Sequence, residues 1–216
     1  MVTSPITHVR YVAHAVPDFA AGLAFYSGIW GLTTVAQDGD LAFLAAEGSP
    51  EPYVLRLRQS AEKHLDLMSL AVHSSVEVDQ LAATLGRAGV RIEREPERLD
   101  IPGGGYGLRF FDPDGRLVEI SADVMPREAR SLDVGESIPG KLTHIVINSP
   151  DIDRTVAFYT QHSGSPSPTG SVTSCASCGW GSTTMSWPSP GPRTPRSTTW
   201  PSTCAVSTST SRAPEG

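Results

Sequence analysis

Two stretches of the chain carry the same pattern of apolar and polar positions. Tyr11-Val12-Ala13-His14-Ala15-Val16-Pro17-Asp18 runs on to Leu23-Ala24-Phe25-Tyr26. Leu142-Thr143-His144-Ile145-Val146-Ile147-Asn148-Ser149-Pro150-Asp151 runs on to Val156-Ala157-Phe158-Tyr159. Each reads as a short β-strand, a turn at Pro-Asp and an amphipathic helix closing on an aromatic pair. Pro17 and Pro150, Asp18 and Asp151, Phe25 and Phe158, and Tyr26 and Tyr159 all share one offset of 133 residues. A repeat of that length points to a duplicated module. It is broken at one position: His144 falls on Tyr11, so an imidazole stands where the first copy has a phenol.

Between the two copies the pattern predicts strands and helices in alternation. A strand over 7–16 and a helix over 19–27, capped by Asp18, are followed by strand-like runs at 32–37, 41–46 and 52–58. Val54-Leu55-Arg56-Leu57-Arg58 alternates apolar with basic, as a half-exposed strand does. A second unit opens with a strand over 65–72. Its helix, 76–88, has Val78, Leu81, Ala82 and Leu85 at helical spacing and ends at Gly89. Strands at 90–94, 106–111 and 117–120 complete it, the last two joined by Asp112-Pro113-Asp114-Gly115, a strong turn signal. The expected organisation is a module of two βαβββ units over 1–122, a linker over 123–140 and the strand and helix of a further module over 141–161. That strand and helix would have an open edge and an apolar face to cover, which favours self-association.

Composition changes the picture at residue 162. Of the 55 residues from His162 to Gly216, 38 are Ser, Thr, Pro or Gly, and Leu and Ile are absent. Such a stretch cannot bury enough apolar surface to offset its ordering entropy, so 162–216 is expected to be disordered. All three cysteines lie there, but a zinc site needs four ligands, and beside Cys175 and Cys178 only Cys204 and His162 remain in the neighbourhood, so no metal role is expected of them. Gly103-Gly104-Gly105 has no Gly-Lys-Ser/Thr after it and reads as a loop, not a phosphate cradle. A net charge of −6 gives no basic footprint for nucleic acid. No membrane-length apolar run and no secretory leader is evident, so the expected location is the cytoplasm.

Two tandem βαβββ units, Phe-Tyr closing the first helix and Phe111-Asp112-Pro113-Asp114-Gly115-Arg116-Leu117-Val118-Glu119-Ile120 closing the second unit, resemble the vicinal-oxygen-chelate superfamily of glyoxalases, bleomycin-resistance proteins and type I extradiol dioxygenases. The resemblance covers about 6–161 and implies an α+β fold of paired βαβββ modules, the second truncated after its first strand and helix. It also implies metal ligands on the first, fifth and eighth strands of a module. In the first module these points fall on Tyr11, Ser69 and Glu119, a poor divalent set, so that module is expected to be structural. His8, His14, His64 and His73 are read as surface or satisfied histidines. An inert first module followed by His144 resembles an extradiol dioxygenase, with His144 the first ligand to a non-haem Fe(II) that activates O₂ beside a catechol-type diol.

At the first module's spacing the other two ligands fall due near 202 and 252, and no histidine follows His162. The tail suggests why. Reading the third base of each codon with the first two of the next, Trp187-Pro188 and Trp200-Pro201 both force Ala, and the run from Arg196 can encode Leu-His-His-Val-Ala-Phe-Asp. A one-base frame slip near residues 160–162 is the expected origin of 162–216. The function expected is therefore that of an extradiol-dioxygenase-like protein, inactive in this form, with an aromatic diol as the lineage's substrate. The alternatives are a metal-free small-molecule-binding module and a glyoxalase-like isomerase, and a homo-oligomer is compatible with each.

Overall fold

The computed structural model describes residues 5–162 and, beyond them, the backbone of three short strands. The first unit comprises β1 (Ile6–Val16), α1 (Phe19–Ala24), β2 (Thr33–Asp38), β3 (Leu41–Ala45) and β4 (Leu55–Gln59). The second comprises β5 (His64–Val72), α2 (Ser75–Arg87), β6 (Ile92–Arg98), β7 (Tyr106–Phe111) and β8 (Leu117–Ala122). They join into one eight-stranded sheet of order β2-β3-β4-β1-β5-β8-β7-β6, the seam being β1 antiparallel to β5. The α+β architecture of two βαβββ units is thus as the hydrophobic pattern predicts.

Element ends differ where local chemistry overrides pattern. Helix α1 gives way at Phe25–Ile29 to a π-helical turn, in which Trp30 N donates to Phe25 O over 3.1 Å. Ser27 Oγ donates back to Leu23 O, which loosens the α-helical ladder just ahead of Gly28. Strand β6 runs past Pro96, beyond the predicted 90–94, because β6 is an edge strand and a missing N–H there interrupts no ladder.

One face of the sheet carries the larger core. Val12, Leu55, Leu57, Met68, Leu70, Phe110, Val118 and Ile120 pack there against Phe19 of α1 and Val78, Leu81 and Leu85 of α2. The other face closes over a smaller cluster of Tyr11, Ala13, Phe43, Tyr53 and Leu67. The linker is pinned to the first module: Met125 N donates to Gly103 O, Arg127 N to Pro50 O and Arg130 N to Glu47 O.

Strand β9 (Leu142–Ser149) and helix α3 (Ile152–His162) continue the chain. The apolar face expected to lie open is instead docked on the first module, with Leu142, Ile145, Ile147 and Tyr159 all buried in the larger core. The strand edges are covered too, by β11 (Trp180–Ser186) and β12 (Val206–Thr208), both antiparallel to β9, with β10 (Thr173–Cys175) beyond β11. Apart from these strands, the disorder expected of the tail concerns residues outside the described ones. The duplication holds to atomic detail. Asp18 Oδ1 accepts from Ala21 N over 2.9 Å, and Asp151 Oδ1 accepts from Arg154 N over 3.0 Å, each three residues into its helix.

Candidate functional site

Register brings the first module's three ligand points together. Tyr11 lies directly across from Ser69, Ser69 from Glu119 and Glu119 from Arg109, so four side chains stand abreast on β1, β5, β8 and β7. Glu119 is the hub and is 0% exposed. Its Oε1 accepts from the Tyr11 hydroxyl at 3.0 Å and from Ser69 Oγ at 2.9 Å. Its Oε2 accepts from Arg109 Nε and Nη2, each at 2.9 Å. Burial opposes the Arg109 charge, yet the Glu119 carboxylate beside it keeps the guanidinium pKa above its ordinary value. Burial, reinforced by the Glu119 charge, pushes the Tyr11 phenol well up, so it stays a protonated donor. Tyr53 packs 4.6 Å from the Tyr11 ring and Phe43 4.8 Å from the Tyr53 ring, which fills the space beside the row. The arrangement hydrogen-bonds a buried carboxylate completely.

The second module's candidate is differently placed. His144 is half-buried on β9, on the opposite side of the strand from Ile145 and Ile147, which enter the core. Thr143 Oγ1 lies 3.1 Å from its Nδ1. Burial lowers its pKa, so at neutral pH the ring is the uncharged form that a metal binds. The residues across from it are Ser186 on β11 and Ser207 on β12. Position 207 is five residues beyond the point near 202 where a second ligand falls due. Among the described residues, no group of three or more His, Cys, Asp and Glu side chains stands ready to hold a metal ion. The described side chains therefore do not make a metal site around His144.

Of the four histidines read as surface or satisfied, His8 and His64 fit: His8 Nε2 lies 2.7 Å from Glu51, and His64 lies beside Asp66. His73 is exposed, and its backbone N–H donates to Glu77 Oε2. His14 is neither surface nor satisfied. It is 8% exposed, Tyr26 Oη lies 3.3 Å from its Nδ1, and its buried Nε2 meets no hydrogen-bonding partner among the described residues. Burial first, and the Lys63 charge second, lower its pKa to about 4. The sequence carried one faint sign: His14 lies inside an apolar run, on the strand side that faces the helices.

The Asp-Pro-Asp-Gly turn was legible as a turn but not as a clasp. Asp112 Oδ2 accepts from the buried Tyr159 hydroxyl at 3.1 Å, and Asp114 Oδ2 from Thr155 Oγ1 at 3.1 Å. Arg154 Nη2 donates to Asp114 Oδ1, and Arg116 donates to both aspartates and to Asn148 O. Gly115 supplies the positive φ, 81°, that closes the turn.

The sequence model described as Glyoxalase/Bleomycin resistance protein/Dioxygenase superfamily matches residues 8–120, from β1 to β8. The chain belongs to that superfamily. Among its relatives, a manganese-dependent 2,3-dihydroxybiphenyl 1,2-dioxygenase of Geobacillus genomosp. 3 is 28% identical over 124 residues, which is 57% of this chain and 39% of that one. The Mn(II)-bound glyoxalase of Novosphingobium aromaticivorans is 42% identical with a TM-score of 0.73, over 75% of this chain and 54% of the other. Homoprotocatechuate 2,3-dioxygenase of Arthrobacter globiformis is 27% identical with a TM-score of 0.64, over 76% and 51%. This superfamily member thus spans about half the length of these relatives or less. No helix among its described residues is long and apolar enough to cross a membrane.

Proposed function

We propose that this chain descends from a metal-dependent dioxygenase that cleaves an aromatic vicinal diol, and that in its present form it does not turn that substrate over. Support for the lineage comes from two relatives named as dioxygenases of dihydroxylated aromatic rings. The metal proposed for that lineage is manganese in place of Fe(II), since two relatives are named for manganese. The observation that carries the loss of activity is that, among the described residues, no group of three or more His, Cys, Asp and Glu side chains gathers around His144 to hold Mn(II) or Fe(II). One neutral imidazole holds such ions weakly, and no catalytic step follows from it.

We attribute the loss to a one-base frame slip near residues 160–162, on the change of composition there and the histidine pair that the neighbouring frame can encode. Two measurements test the reading. Metal analysis of the purified chain after incubation with Mn(II) or Fe(II) should give well under one ion per chain, and 2,3-dihydroxybiphenyl and homoprotocatechuate should stay uncleaved. Stoichiometric metal with ring cleavage would sink it. Sequencing the gene through codons 155–165 should show a missing or extra base whose repair supplies histidine near 200. A frame confirmed as written leaves the slip without basis.

The 42% identity to a glyoxalase keeps an isomerase lineage as the second reading. Turnover of a hemithioacetal, with the diols untouched, would select it.

A further inference from the structure

The two outer strands of the eight-stranded sheet are built differently. Strand β6 carries Glu93, Arg94, Glu95, Glu97 and Arg98, and Pro96 interrupts its row of N–H donors. Charge and proline are what keep an edge strand from pairing with another chain. Strand β2, at the other edge, reads Thr33-Thr34-Val35-Ala36-Gln37-Asp38, with one charge at its far end and no proline. Its one irregularity is a register shift against β3 between Thr34 and Ala36, which adds no charge and leaves Val35 exposed. Exposed residues fall on both faces of the strand, so among the described residues no second layer covers it.

The segment around β2 shares that lack of charge. Residues 19–37 hold no charged side chain, the longest such run ahead of residue 162. They include the π-helical turn that leads into β2, where Phe25 is 41% and Ile29 79% exposed. A net charge of −6 sets most surfaces of two copies against one another, and this surface has no charge to repel its own copy. We propose that two copies of the chain pair here, β2 antiparallel to β2, so that their sheets join into one across a twofold axis. Identical strands paired antiparallel are self-complementary, as a twofold contact requires. With the axis inside the strand, the two Asp38 carboxylates fall at opposite ends of the new ladder. The exposed Phe25 and Ile29 of both copies come to the same side of the joined sheet, where they bury one another. Because β6 is guarded, association stops at two copies. With β9 and α3 docked on the first module, self-association belongs to β2 rather than to residues 141–161. The proposal does not rest on the lineage assigned through His144.

The experiment is sedimentation velocity of the full-length protein across a concentration series, with three single variants run in parallel. The native protein should show a reversible equilibrium between one copy and two, with nothing larger. Val35→Lys sets like charges close to the axis and should raise the dimer dissociation constant by roughly 100-fold. Ile29→Lys, on the turn beside the strand, should raise it by about 10-fold. Val76→Lys makes the same kind of change at an exposed position of α2 and should leave it unaltered. Circular dichroism confirms that each variant keeps its fold. Should Val35→Lys fail to fold, amide exchange of the native protein decides: β2 amides should slow as concentration rises while β6 amides do not. A single copy at every concentration, assemblies larger than two, or a dimer indifferent to Val35→Lys overturns the proposal. So does β2 exchange that is independent of concentration, or a dimer that Val76→Lys weakens as much as Val35→Lys.

Discussion

At the scale of single residues, the largest effects come from polar groups that the fold has removed from water. Glu119 is matched with donors on both oxygens, whereas His14 has an unmatched Nε2 and tolerates burial only as the neutral ring. Its pKa falls from 6.5 to about 4 on folding. Between those values the unfolded chain binds a proton that the folded one refuses, so stability rises with pH across that window and falls as pH drops through it. The full difference corresponds to about 3 kcal/mol. Replacing His14 by Leu removes the titration: chemical denaturation at pH 7 and pH 4.5 should then show a smaller loss on acidification than in the native protein. An equal loss in both would mean that other groups carry the acid sensitivity. None of this was legible in the sequence, because a histidine inside an apolar run looks the same whether its second nitrogen finds a partner or not. Tyr11, Ser69 and Glu119 were legible as a set only through the family resemblance, which implies ligand points on the first, fifth and eighth strands. The role of Arg109 depends on a register between β7 and β8 that no spacing reveals.

At the scale of elements, the β7–β8 turn decides how the second module begins. Asp112 and the side chain of Asp114 are buried near the tip of a hairpin that gives them only Arg116 as a counter-charge, and α3 brings further donors. The Arg154–Asp114 pair contributes little, since the arginine side chain is 53% exposed and screened by water. The buried Thr155 and Tyr159 hydroxyls matter more, because each meets a carboxylate away from solvent. Asp114→Ala should therefore free the start of α3 without disturbing the sheet. A loss of about 1.5–3 kcal/mol per charged hydrogen bond predicts amide exchange in α3 faster by roughly 10- to 100-fold, with β5 and β8 amides unchanged. Uniform acceleration through the sheet would show instead that the turn supports the first module itself. Sequence pattern gave the turn and the helix separately; their pairing stayed hidden because Tyr159 matches Tyr26 in the repeat, and Tyr26 faces His14 instead.

At the scale of the whole molecule, two layers of stability follow from the connectivity. Each of the seven pairings of the large sheet lies within residues 6–122, and the smaller core is drawn from that segment alone. Strand β9 and helix α3 add Leu142, Ile145, Ile147 and Tyr159 to a core that the first module already closes with α1 and α2. This division was readable from the repeat, since an offset of 133 residues is long enough for two complete βαβββ units before the pattern restarts. The docking was not, because an amphipathic helix shows that it needs a surface but not which one. A chain ending at Gly140 should accordingly keep the eight-stranded sheet and unfold in one cooperative step. It should melt lower than the full chain, by on the order of 10 °C, because the loss of buried apolar side chains outweighs the chain entropy released. Calorimetry of the two proteins, with circular dichroism to confirm the sheet, makes the comparison. A truncated chain with no cooperative transition would mean that the first module depends on α3 for its fold, and that the clasp at Asp112 and Asp114 is part of one indivisible core.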